Sequence, residues 1–325
     1  MLNKPSYSLF IDTKELVGIT SRVEKLMSHL GIESNVVHLI GIWGMGGMGK
    51  TTLPRFVYKM ISNKFDACSF ISSVRGVYEN HGILQLQQTL LNDLLNLRDM
   101  NVKDVDNGIL MIKNKLCHKK ILLVLDDVNE LCQLNKLVAE HNYFGLGSRV
   151  IITTRDVHLL MTSKVDGIYE VKGLSNEEAL HLFNLKAFHE EHTPKDYLEL
   201  CQAFVDYANG LPLAIEVLGS FLYNRSTSEW KSGLDRLKEF PIKKILDVLQ
   251  ISYDGIEQTE KEIFLHIACF LNYRNQETII AILDCFDLYP QIGLRVLADR
   301  SLIRYPDNQL WMHNFTLRIG LRYSL

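Results

Sequence analysis

The rhythm of apolar and polar positions changes twice along this chain. Up to about residue 173, short apolar runs alternate with stretches of helical period. Residues 36–43, 67–74, 121–125, 147–155 and 168–171 read as strands. The unbroken apolar run at 121–125 suits a strand buried on both faces of a parallel sheet. Apolar residues at 83, 84, 86, 90, 91, 94, 95 and 97 put one face of a helix into a core. Further helices are expected up to about residue 30, capped by Thr20 or Ser21, and at 52–62 and 107–117. Strands alternating with helices imply right-handed crossovers and a parallel sheet.

Past residue 174 the strands vanish. Helices near 176–188, 195–208, 212–222, 228–237 and 242–253 follow one another, with Gly210 ending one and Pro212 opening the next. Helices near 257–271, 276–286 and 291–301 come last. After them, 302–305 and 309–313 flank Pro306-Asp307-Asn308, the signal of a β-hairpin. Three helices and a hairpin outline a winged helix.

Composition changes this picture little. A chain of 325 residues, 47% hydrophobic and 22% charged, has room for about two to three ordinary domains. The net charge of −3 gives no global basic field toward nucleic acid or an anionic membrane. Apolar runs fall well short of the ~18 residues a membrane span needs, and no charged-then-apolar leader opens the sequence. The six cysteines (68, 117, 132, 201, 269 and 285) form no C-x-x-C pair. That spacing excludes a zinc knuckle or a thioredoxin-type site and suits small core residues in a reduced compartment.

The chemistry gathers at strand ends. Gly44-Met45-Gly46-Gly47-Met48-Gly49-Lys50-Thr51-Thr52 fits the phosphate-loop pattern. Its glycines let successive N–H groups turn toward phosphate oxygens. Lys50 brings a charge to the β- and γ-phosphates and Thr51 a hydroxyl to Mg²⁺, while the next helix presents its positive end. Pro54 has no N–H for the Lys50 carbonyl, so a bend is expected in that helix. Asp126 and Asp127 end the apolar run at 121–125, at the edge where ligands bind in open α/β sheets. Asp126 fits a Mg²⁺ holder and Asp127 a group that orients or activates water; the pair would otherwise cap the next helix. Arg155 ends the strand at 147–155 and reads as a sensor of the γ-phosphate, or else as a surface arginine in an ion pair.

These landmarks together resemble the NB-ARC module of plant intracellular disease-resistance proteins of the TIR-type subclass. The resemblance covers nearly all of residues 7–313. It is carried, in order, by Leu16-Val17-Gly18-Ile19 with Arg22, the phosphate loop, Leu123 to Val128, Gly147 to Arg155, Gly210 to Ala214, and Met312-His313. Asn129, where another subclass has tryptophan, and Phe264 to Phe270 add to it. The implied architecture is a linker (1–13), an α/β phosphate-loop NTPase domain with a parallel sheet (14–173), a helical ARC1 subdomain (174–240) and a winged-helix ARC2 subdomain (241–325).

The resemblance implies a switch: ADP locks a closed, inactive state, and exchange for ATP opens it for self-association and defence signalling. Gly46, Gly47, Gly49, Lys50, Thr51 and Thr52 would then hold phosphates, Thr51 and Asp126 the Mg²⁺. Asp127 would serve hydrolysis, making the chain at most a slow ATPase, and Arg155 would read the γ-phosphate. Val17 and Arg22 would surround adenine, Pro212 pack on it, and His313 reach the β-phosphate. The family's Met-His-Asp reads Met312-His313-Asn314 here, which removes a charge beside the imidazole. No TIR domain or leucine-rich repeat lies in this chain, so a truncated product or an incomplete gene model is expected, in the cytoplasm or nucleus. Two competing readings are a turnover ATPase or kinase and an ATP-dependent DNA-binding regulator using Arg295, Arg300 and Arg304. The first lacks a glutamate after Asp126; the second sits poorly on a net-acidic chain, and nucleic acid is not the partner expected.

Overall fold

The apolar runs of the first half form one parallel sheet in the computed structural model, which describes residues 16–97, 101–138, 140–190, 192–239, 241–306 and 309–323. The linker expected at 1–13 lies outside these residues. The strands are β1 (His38–Trp43), β2 (Ala67–Ile71), β3 (Ile121–Val128), β4 (Arg149–Thr154) and β5 (Gly167–Glu170). They lie in the order β2-β3-β4-β1-β5, all parallel. Their carboxyl ends therefore share one edge. The phosphate loop, Asp126, Asp127 and Arg155 all sit along it.

Helices α1 (Ile19–Leu30), α2 (Thr52–Ile61), α3 (Val74–Leu95), α4 (Val105–Leu116), α5 (Leu131–Leu137) and α6 (Val157–Thr162) cover the sheet. Strand side chains alternate in direction, and the two faces build different cores. Ile121, Leu123, Leu125, Val150 and Ile152 pack toward α3 to α6. Ile40, Ile42, Leu122, Val124 and Ile151 pack toward α1 and α2.

That second core does not stop at the sheet. It continues through α7 (Asn176–Ala187), α8 (Leu198–Ala208), α9 (Pro212–Leu222) and α10 (Thr227–Glu239), where Trp230 is fully buried among Phe183, Phe188, Tyr197 and Phe204. It then reaches α11 (Lys243–Asp254), α12 (Gln258–His266), α13 (Gln276–Asp284), α14 (Pro290–Asp299) and α15 (Asn314–Tyr323). One apolar interior thus joins the sheet to everything after it.

Several local expectations are corrected. Helix α1 starts after Gly18, held at φ 68°, and no side chain caps it, so neither Thr20 nor Ser21 is the cap. Strand β2 ends at Ile71 rather than 74, because α3 already begins at Val74. Helix α3 runs straight into the stretch read as starting at 83, interrupted only at Gly82 (φ 75°, ψ 178°). The sequence reading missed the short helices α5 and α6.

Pro54 does not break α2: Leu53 and Arg55 donate to the carbonyls of Gly49 and Thr51 on either side, and one bond is forgone. Residues 257–271 form α12 followed by a π-helical turn at Ile267–Leu271. The expected hairpin is reduced, among the described residues, to isolated antiparallel bridges, Arg304 with Trp311 and Asn275 with Gln309. Helix α15 buries Phe315, Thr316, Ile319 and Gly320. Among the described residues no helix is long and apolar enough to cross a membrane.

Candidate nucleotide site

A cavity of about 450 Å³ opens at the carboxyl edge of the sheet, within the range that accommodates a nucleotide. Its polar end is the phosphate loop. Gly47 (φ 80°) and Gly49 (φ 89°) take backbone conformations that disfavour side chains. At Gly46 a Cβ would fall 2.8 Å from Arg155 Nη1 and 3.0 Å from the Val248 carbonyl. A side chain at Gly46 would therefore press on Arg155 and on the α11 backbone.

Lys50 is buried at 8% exposure and donates to the Met45 carbonyl at 2.9 Å. Burial, then the nearby Arg155 charge, push its ammonium down to about 7. Such a site is short of negative charge and favours an anionic ligand. Thr51 Oγ1 donates to Asp126 at 2.9 Å, and Thr153 Oγ1 donates to the same carboxylate at 2.7 Å. Thr153 was not singled out by the sequence, although it lies in the strand that was.

Asp127 holds a left-handed backbone (φ 60°), and its N–H donates to Thr153 Oγ1 at 2.9 Å. Its carboxylate faces two guanidiniums: Arg75 Nη2 at 2.6 Å and Arg155 Nε at 3.5 Å. Arg75 escaped the sequence reading because nothing local marks it. Arg155 Nη1 donates to the Val248 carbonyl of α11 at 2.6 Å, while its buried Nε makes no hydrogen bond. Burial lowers the Arg155 pKa, and Asp127 opposes that shift.

The other end of the cavity is apolar, lined by Leu16, Val17, Ile19, Leu174, Leu182 and Pro212. Pro212 is the first residue of α9, and the next N–H, of Leu213, donates to the Gly47 carbonyl at 3.3 Å. Thr52 lines the loop side. Arg22 lines the cavity too, but its guanidinium is engaged in a two-pronged pair with Glu178 (2.9 Å for each bond) and with the Gly18 and Gly173 carbonyls. Glu178, another residue the sequence did not reveal, is in turn shifted down in pKa chiefly by its bond to Arg22.

His313 is not brought into this cavity. It borders a smaller one of about 180 Å³ with Asn209, Ser301, Trp311 and the loop residues Met45 and Met48. Nε2 lies 3.3 Å from the Asn209 carbonyl, which can only accept, and Nδ1 accepts from the Phe315 N–H at 3.3 Å. These partners fix a neutral Nε2–H ring without Asn314, which simply begins α15. Desolvation pushes the His313 pKa down to about 4.

Stability should follow from that shift. Above pH ~6.5 the ring is neutral both folded and unfolded; between there and about 4 only the unfolded chain takes up the proton. Stability is therefore lost as pH falls through that window, by an amount on the order of 3 kcal/mol. The thermal midpoint of the native chain should drop more steeply from pH 7 to 5 than that of His313→Gln. Parallel slopes would refute it.

The arginines offered as a DNA-binding edge are engaged elsewhere. Arg300 pairs with Asp156 at 3.2 Å, Arg304 with Glu170 at 3.1 Å, and Arg295 with Asp299 at 3.1 Å. Two of these pairs tie the segment that follows α14 to the sheet edge.

Comparison with known proteins agrees with this geometry. The NB-ARC domain model matches residues 19–193, and a model described as the winged-helix domain of Roq1-like disease resistance proteins matches 257–322. Disease resistance protein RUN1 of Vitis rotundifolia is 42% identical over 94% of this chain, and TMV resistance protein N of Nicotiana glutinosa 40% identical over 94%. The chain spans only 23% and 27% of those proteins. Among solved structures, the Walker-type ATPase PABY2304 of Pyrococcus abyssi superposes with a TM-score of 0.61 at 17% identity, covering 95% of this chain and 97% of that one. That likeness establishes the phosphate-loop NTPase fold.

Proposed function

This chain belongs to the NB-ARC domain family, and from that premise we propose that it is the ADP/ATP-gated switch of a plant immune receptor. Nucleotide binding follows from the family's fold. The observation that carries the gating is the composition of one cavity wall: phosphate loop, Pro212 and Leu213 of α9, and Val248 of α11. Parts of the chain some 200 residues apart close over a single ligand site.

In this reading Gly46, Gly47, Gly49, Lys50, Thr51 and Thr52 hold the phosphates, and Val17 and Pro212 pack on the base. Arg22 acts as a brace that joins α1 to α7 beside it. Thr51 and Asp126 would hold Mg²⁺, which keeps most of its ligands as water and phosphate and so needs few from the protein. The ion would spread phosphate charge. Among the described residues no cluster of three or more acidic, histidine or cysteine side chains is grouped to hold a metal ion.

Arg155 is the residue through which a third phosphate acts. It now donates to the Val248 carbonyl; a γ-phosphate would compete for the same guanidinium and loosen α11. ADP makes no such demand. The nucleotides then differ in their affinity for closed and open forms, which is all a ligand can use to shift a population. The Asp156–Arg300 and Glu170–Arg304 pairs add to the closed side.

Their removal is the test. Each partly exposed pair contributes at most about 1 kcal/mol. Arg300→Glu with Arg304→Glu loses both and adds like-charge repulsion, so dissociation of a fluorescent ADP should accelerate roughly tenfold. An unchanged rate would remove the closed-state reading.

A further inference from the structure

Asp127 is gripped by an arginine that the phosphate site does not require. Arg75 belongs to the first turn of α3, just after Ser73, whose backbone is left-handed (φ 52°). It does not line the nucleotide cavity, whereas Asp127 does. Its Nη2 lies 2.6 Å from Asp127 Oδ2, and the two side chains are 19% and 23% exposed. That is the distance of a strong charge-assisted bond. Arg155 faces the other oxygen at 3.5 Å. The Thr153 hydroxyl meanwhile fixes the Asp127 backbone.

A carboxylate in this place activates water only if one of its oxygens can accept the water's proton. Oδ2 is already held by Arg75, a residue outside the cavity lining, and Oδ1 faces Arg155.

We infer that Arg75 is a positioning residue that keeps nucleotide hydrolysis slow by holding the Asp127 carboxylate toward α3. The inference rests on the nucleotide-switch reading above. In the step it restrains, the water oxygen bonds to the terminal phosphorus and the bond from that phosphorus to the bridging oxygen breaks. ADP departs, and the water's proton passes to Asp127. A switch whose active form must persist gains from such a restraint.

The Arg75–Asp127 pair has a bland alternative. It ties the segment before the Gly82 break to the end of β3, and a role in shape alone would leave turnover insensitive to Arg75. Turnover and binding separate the two. In Arg75→Gln, kcat for ATP should rise about tenfold, a fraction of the roughly 10²–10⁴ that a positioned base supplies. KM and the calorimetric Kd for ADP should stay within about threefold. Arg75→Lys keeps a charge but loses the fork, so kcat should rise by a smaller factor, and this milder variant decides the matter if Arg75→Gln fails to fold. Adding Asp127→Asn to Arg75→Gln should abolish the gain. Unchanged or lower kcat in both single variants overturns the inference, as does a gain that survives Asp127→Asn. A native chain that binds no ADP would overturn the switch reading itself.

Discussion

Lys50→Ala is expected to leave a folded chain that no longer carries nucleotide through gel filtration. The side chain is buried in the loop, and its ammonium is bonded to the Met45 carbonyl with Arg155 close by. A ligand that brings phosphate satisfies that ammonium better than a peptide carbonyl does. Losing a charge-assisted contact costs about 1.5–3 kcal/mol, or roughly 10- to 150-fold in Kd. The loss is largest for a lysine because alanine leaves the phosphate facing an uncharged wall. Thermal unfolding of ligand-free protein should change little, since Lys50 makes one hydrogen bond to the protein. Heat-released nucleotide, quantified per chain, checks this; one ADP per Lys50→Ala chain would contradict the loop's assignment.

The largest effect on stability is expected at Arg149, far from any ligand. This arginine is fully buried at the start of β4. It donates to the carbonyls of Leu30 (2.5 Å), Val36 (2.7 Å), Ser34 (2.8 Å), Ser148 (2.8 Å) and Gly31. Leu30 and Gly31 close α1, so the cation also meets the negative end of that helix. Burial lowers its pKa, yet the ring of carbonyls holds the charge in place.

Arg149→Ala leaves these acceptors without their partner, at about 1–3 kcal/mol for each one that stays buried and unsatisfied. A total near 4 kcal/mol or more is expected, a large part of the roughly 5–15 kcal/mol that holds a domain together. The midpoint should fall by about 10 °C. Arg149→Lys should recover only part of that, because an ammonium cannot serve the whole ring. A change below about 1 kcal/mol in Arg149→Ala would show that the ring is not holding α1 to the sheet.

These two residues also mark how far the sequence could be read. Lys50 was legible because its neighbours fix its geometry: a glycine-rich turn between a strand and a helix has one use in such a context. The same holds for Asp126 and Arg155, whose strands are visible as apolar runs and whose positions at strand ends follow from a parallel sheet. Arg149 was passed over as one more residue of a strand. Apart from the adjacent Ser148, its partners lie more than 110 positions away, and no period in the chain announces them.

Arg75, Glu178 and Asp156 were missed for the same reason. Each acquires meaning only from a residue that folding brings beside it. Shorter-range failures have local causes. Helices α5 and α6 are 7 and 6 residues long, below the length at which period can be told from noise. Among the described residues the wing shows only isolated bridges, where the alternation suggested two paired strands. His313 was expected to end a strand and reach the β-phosphate; it follows an isolated bridge at Trp311, and its side chain turns to Asn209 and Phe315 rather than into the nucleotide cavity.

Scattering in solution tests the gating most directly. Loaded with ADP, the 325-residue chain should show a radius of gyration near that of a single compact body of its length, about 20 Å. Loaded with a non-hydrolysable ATP analogue and Mg²⁺, it should expand by several ångströms or assemble into larger particles as α11 and the helices after it leave the sheet edge. Superimposable curves at saturating concentrations of both nucleotides would contradict the switch.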